Sequence, residues 1–148
     1  MFTKINVFRW SGRLNSFEAN KTMKTVICIF LAIATFTVYS QVQSHKFLNF
    51  DDRGYITENE NIKSGLNRES VIWAFTSSYF ANWHPITWLS HILDYQLYGS
   101  NPKGHHLTNL FFHIANSLML FLVLLKMTGA LWRCGFVAAM FALHPFNV

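Results

Sequence analysis

Two uncharged runs, residues 25–44 and 107–125, decide most of what this 148-residue chain can become. They extend over 20 and 19 residues without a Lys, Arg, Asp or Glu. At about 1.5 Å per residue, a helix of that length reaches roughly 30 Å, the hydrocarbon thickness of a bilayer. Lipid offers no partner to backbone N–H and C=O groups, so each run has to be a helix if it crosses. The rest of the composition agrees, with 51% hydrophobic and 13% charged residues, unlike an ordinary soluble domain. The expected fold class is an all-α membrane protein with about three transmembrane helices.

Charge orients the first run. Lys4, Arg9, Arg13, Lys21 and Lys24 all precede it, whereas six of the seven acidic residues lie between Asp51 and Asp94. The positive-inside rule then makes residues 1–24 a basic cytoplasmic segment and 25–44 the first transmembrane helix. Residues 45–104 become an outer loop, 107–125 the second helix and 126–133 a cytoplasmic turn. Residues 134–148 begin a third helix that stops without a cap, which reads as truncation. A rival reading takes Met23-Lys24-Thr25 and residues 26–36 as a signal peptide. Val38-Tyr39-Ser40 is a poor cleavage site, and a secreted product starting near residue 41 would leave 107–125 unexplained. Met23 also serves as an alternative start, with residues 1–22 an unstructured or misannotated extension.

Several chemistries are excluded. The basic segment flanks an apolar helix and matches no nucleic-acid-binding motif, so no nucleic-acid partner is expected. Cys28 and Cys134 stand apart inside apolar stretches and read as buried, inert thiols. There is no phosphate-binding glycine loop, no Gly-x-Ser-x-Gly and no His-Glu-x-x-His. Asn20-Lys21-Thr22 fits a glycosylation sequon but falls on the cytoplasmic side.

Within the outer loop, Gly54, Asn59, Asn61, Gly65 and Asn67 read as loop punctuation. Val71, Ile72, Phe75 and Tyr79 mark a helical pattern between residues 70 and 80. Pro85 opens a helix that reaches about Leu97 and stops at Tyr98-Gly99. On it His84, Thr87, His91 and Asp94 recur at i, i+3, i+7 and i+10 and share one face. Ile86, Leu89, Leu93 and Leu97 take the other, so the helix can lie flat on the bilayer. His106, Asn109, His113 and Asn116 repeat that spacing on the second membrane helix. An interfacial helix needs a polar face in any case, and interhelical hydrogen bonds alone account for the second set. His91 and Asp94 have ligand spacing, but no third ligand follows in sequence and no metal site is assigned.

Asp51 and Asp52 adjoin the outer end of the first helix. Neighbouring carboxylates raise each other's pKa, which suits a general base. Arg53 can instead neutralise a pair that merely caps a turn.

The order of segments carries a resemblance. Asn49-Phe50-Asp51-Asp52 is followed by Trp83-His84-Pro85-Ile86-Thr87-Trp88-Leu89-Ser90, then by Tyr98-Gly99. Gly104-His105-His106-Leu107-Thr108-Asn109-Leu110 and Leu143-His144-Pro145 continue it. Residues 25–148 resemble the N-terminal part of the transmembrane and tetratricopeptide-repeat O-mannosyltransferase-like proteins, bacterial type. The resemblance implies a multi-spanning glycosyltransferase that takes sugar from a polyprenyl-phosphate donor on the outer face. It maps the acidic motif onto Asp51 and Asp52. It also implies further C-terminal helices and repeats as partners, so the chain is expected to be inactive on its own. Arg53, His84, His105 and His106 become candidates for steadying the departing phosphate. His91, Asp94 and Asn109 line the groove, and a divalent metal requirement stays open. A non-catalytic membrane scaffold is the alternative.

Overall fold

The computed structural model describes residues 5–47 and 53–145, with side chains over 20–47 and 54–145. Every regular element among them is helical. Helix α1 (Ile5–Tyr39) runs into a 3-10 turn (Ser40–Ser44), and a π turn (Arg53–Thr57) follows. Next come α2 (Glu60–Lys63), α3 (Arg68–Thr76), a 3-10 turn (Tyr79–Ala81) and α4 (Pro85–Tyr98). Helices α5 (Pro102–Thr128) and α6 (Leu131–Leu143) complete the order. The chain divides into two compact units, one of Met1–Val38 with Phe112–Val148 and one of Tyr39–Phe111.

The first unit holds the greater part of the two long apolar helices. Asn20–Ser44 and Pro102–Thr128 are both long and apolar enough to cross a membrane, each with a mean hydropathy of 1.9. The first run is thus part of a helix that begins at Ile5, not one preceded by an unstructured extension. The expected turn over 126–133 shrinks to two residues, Gly129 and Ala130, with Gly129 at φ 67°. Helix α6 has 13 residues, about 20 Å, which is short of the hydrocarbon thickness.

Leu31, Phe121, Cys134 and Ala138 form the buried centre of this unit. On α6 the buried residues Cys134, Ala138 and Ala142 are all small and four apart, so neighbouring backbones can approach closely. Polar groups inside are satisfied locally. Thr35 donates to the Leu31 carbonyl at 2.7 Å and Ser117 to the His113 carbonyl at 2.8 Å. Phe30, Ile33, Met119 and Phe136 point outward and exposed, a surface suited to lipid. Replacing Ala138 with leucine would overpack α6 at a cost of about 1–3 kcal/mol. In a Cys28→Ser background, Cys134 should be nearly inert to maleimide in detergent micelles and become reactive when Ala138→Leu is added. Equal labelling of both proteins would show that α6 does not pack through its small face.

The second unit departs from expectation in two ways. Asn59 and Asn67 are helix caps and not loop punctuation. Asn59 accepts from the Asn61 N–H at 3.1 Å, and Asn67 and Ser70 form a reciprocal capping box at the start of α3. The second departure concerns α4. Its expected outer, polar face is turned into the unit: Asp94 is buried, His84 and His91 are half-buried, and Thr87 alone of that set is exposed. Ile86, Leu93 and Leu97 face outward, Ile86 with 71% of its surface exposed. The physical reason is that α4 is apolar on two sides. Trp88 and Ile92 occupy the other side, and both are fully buried against Ile62 of α2 and Ala74 of α3. Ala74 leaves room for an indole, so the side bearing the largest apolar group goes inward. His84, His91 and Asp94 flank Trp88 and follow it.

Candidate functional site

The inward side of α4 brings its titratable groups against an aromatic cluster. The Trp88 ring centre lies 4.6 Å from that of His84, 4.9 Å from Tyr55 and 5.1 Å from Trp73. Tyr55 stacks on His84 at 5.8 Å and meets His91 edge-on at 6.2 Å. Phe80 packs on Tyr55 at 5.3 Å, and a side chain at Gly54 would collide with the Phe80 ring. Phe80 and Ala81 both hold positive φ, 56° and 58°, a strained pairing for residues with side chains.

Asp94 marks the other end of this face. Thr108, two turns into α5, donates its hydroxyl hydrogen to Asp94 Oδ1 at 2.7 Å. His105, one turn earlier, has its Nδ1 4.0 Å from Asp94 Oδ2. Burial pushes the Asp94 carboxyl above the ordinary aspartate range; the Thr108 hydrogen bond and the nearby His105 act in the opposite direction. The other His105 nitrogen, Nε2, donates to the Gly99 carbonyl at 3.0 Å. Gly99 ends α4 with a positive φ, 59°, that favours glycine, and its carbonyl is left outside the helix. The stop at Tyr98-Gly99 therefore supplies the acceptor that holds His105. One ligand atom each from His91, Asp94 and His105 lies within 4.8 Å of the others. These three are the group among the described residues that could hold a metal ion.

Of the residues singled out in the sequence, the fold gathers His84, His91, Asp94 and His105 in this one unit. His106 is half-buried and packs against Phe47, with ring centres 6.2 Å apart. Asn109 is exposed and joins neither cluster. Asn116 is exposed as well, whereas His113 is buried, so the polar set on α5 does not line one cavity. His113 Nε2 instead donates to the Ala142 carbonyl at 2.9 Å, one of the carbonyls left over at the end of α6. Asp51 and Asp52 lie outside the described residues, as does the side chain of Arg53.

Sequence reasoning missed Thr108, Tyr55 and Trp88. Thr108 stands inside a quoted motif, and its hydroxyl was the available signal. Tyr55 and Trp88 carry no spacing pattern that would single them out.

The chain matches no protein-family model, no curated protein and no solved structure.

Proposed function

We propose that this protein belongs to a membrane glycosyltransferase that moves sugar from a polyprenyl-phosphate donor to a hydroxyl acceptor on the outer face. The observation that carries the reading is a coincidence of two kinds of residue. Each segment behind the resemblance supplies side chains to one of the two clusters: Trp83–Ser90 gives His84 and Trp88 to the aromatic one, and Gly104–Leu110 gives His105 and Thr108 to the one around Asp94. Aromatic rings beside histidines and a carboxylate suit a polar ligand with apolar faces, as a sugar has. Two helices able to cross a membrane, and the outward apolar side of α4, suit a lipid-linked donor. In this scheme Asp51 or Asp52 takes the proton of the attacking hydroxyl, and Arg53 with His84 or His106 steadies the phosphate that departs.

The test is sugar transfer in membranes made from the native reading frame. Asp51→Asn and Asp52→Asn, separately and together, should leave insertion intact. At least one single variant should lower transfer about 10²–10⁴-fold, the usual contribution of a general base. Unchanged transfer in both single variants and in the double variant removes the acidic pair from the mechanism. Membranes that transfer no sugar at all leave the scaffold reading in place.

A further inference from the structure

We infer that His91, Asp94 and His105 form a divalent-cation site of the zinc class, between α4 and the first turns of α5. His105 is almost fully buried, with 2% of its surface exposed. A carbonyl oxygen only accepts, so the hydrogen bond to Gly99 puts the ring proton on Nε2. With that proton on Nε2, Nδ1 is the nitrogen left to act as a donor atom to a cation, buried and without a hydrogen-bond partner. It is directed at Asp94 Oδ2 from 4.0 Å, across a gap too long for a hydrogen bond even with a proton between them. In that tautomer two electron-rich atoms face each other in a buried place, an arrangement that a proton or a bound cation relieves.

The surroundings fit such an ion. Metal-bound histidines commonly donate their second nitrogen to a carbonyl, as His105 does to Gly99. Thr108 occupies Asp94 Oδ1 and leaves Oδ2 for the cation. His91 precedes Asp94 by three residues on α4, so the two share a helix face. Donors around a tetrahedral zinc lie about 3.3 Å apart, from bond lengths of about 2.0–2.2 Å. The observed set, all within 4.8 Å, has to draw together by about 1.5 Å to reach that spacing. Two imidazoles and one carboxylate favour a borderline ion such as Zn²⁺ over Ca²⁺ or Mg²⁺, which prefer oxygen. Three protein donors leave a fourth position for water or a phosphate oxygen. The inference does not depend on sugar transfer; it recasts three expected substrate contacts as ligands.

The experiment uses the full chain in detergent, purified through a tag without histidine, stripped with chelator and titrated with Co²⁺ and then Zn²⁺. One Co²⁺ per chain should bind with the visible bands of a nitrogen–oxygen site and no thiolate charge-transfer band, and Zn²⁺ should displace it. Asp94→Asn and His105→Ala should each weaken Zn²⁺ binding more than about a hundredfold, beyond the usual cost of losing a supporting group. Thr108→Val should cost about 10–100-fold as such a group. His45→Gln, at an exposed histidine outside the trio, should change nothing. Asp94→Asn keeps an oxygen for Thr108, and its unaltered helical circular dichroism separates lost binding from lost folding. The wild-type Co²⁺ spectrum needs no variant and stands if one fails to fold. An absence of saturable binding by the wild type overturns the site, as does equal binding by a folded Asp94→Asn protein.

Discussion

Replacing Trp88 with alanine is expected to unfold the Tyr39–Phe111 unit while the apolar helices stay folded. Trp88 is fully buried, and the rings of Tyr55, Trp73, Tyr79 and His84 all pack against it. Its removal leaves a hole lined by rigid rings that cannot close around a methyl group. Truncations of this kind cost about 3–5 kcal/mol. A unit of this size holds little more than that in total, so the change takes most of its stability. Amide hydrogen exchange on protein in lipid nanodiscs reads the effect segment by segment. Exchange across α3 and α4 should accelerate about a hundredfold or more, following the rule that 1.4 kcal/mol is tenfold. Amides of α6 and the second half of α5 should keep their protection. Trp88→Phe should fall between, because it retains a ring. Uniform acceleration in both units would show that they fold as one body, and no acceleration would show that Trp88 is not central.

Gly104→Ala is the second change expected to have a large effect. A Cβ at position 104 would overlap Cβ, Cγ and Cδ2 of Tyr98. These atoms lie at the root of that side chain, so swinging the ring into solvent does not clear the collision. The backbone of α5 or the end of α4 has to move, at about 1–3 kcal/mol for overpacking of this kind. The displaced segment adjoins Gly99, whose carbonyl fixes His105. Gly104→Ala should therefore lower the melting temperature of the unit by several degrees, as about 1 kcal/mol shifts a domain of 60–100 residues by 4–8 °C. It should also disturb the His105 ring, visible as altered imidazole resonances in a histidine-labelled sample. A variant with wild-type melting and unshifted resonances would show that Tyr98 does not pack over Gly104.

Much of the architecture was legible because its signals are local. Absence of charge over a helix-length run identified 25–44 and 107–125. Pro85 and Gly99 bounded α4, since one ring fixes φ at a first turn and one missing Cβ permits a stop at positive φ. The short helix α2 and the start of α3 were read as loop because Asn serves turns and N-caps alike, and only the hydrogen bonds of Asn59 and Asn67 separate the two. The candidate site was half legible. His91 and Asp94 announce themselves by spacing on one helix. His105 stands eleven residues past Asp94 and beyond a helix break, where no periodicity relates them.

The sequence by itself determined that the chain is helical, that two of its helices can cross a membrane, and where α4 begins and ends. Those outcomes follow from solvent preference and backbone stereochemistry, which act over one or two turns. Which side of α4 turns inward was decided by tertiary structure, because both sides are apolar enough and only packing against Ile62 and Ala74 favours the side with Trp88. The meeting of His105 with His91 and Asp94 was decided there too. It depends on the helix break at Gly99, after which the start of α5 returns His105 and Thr108 to Asp94, so that residues distant in helical register face one gap.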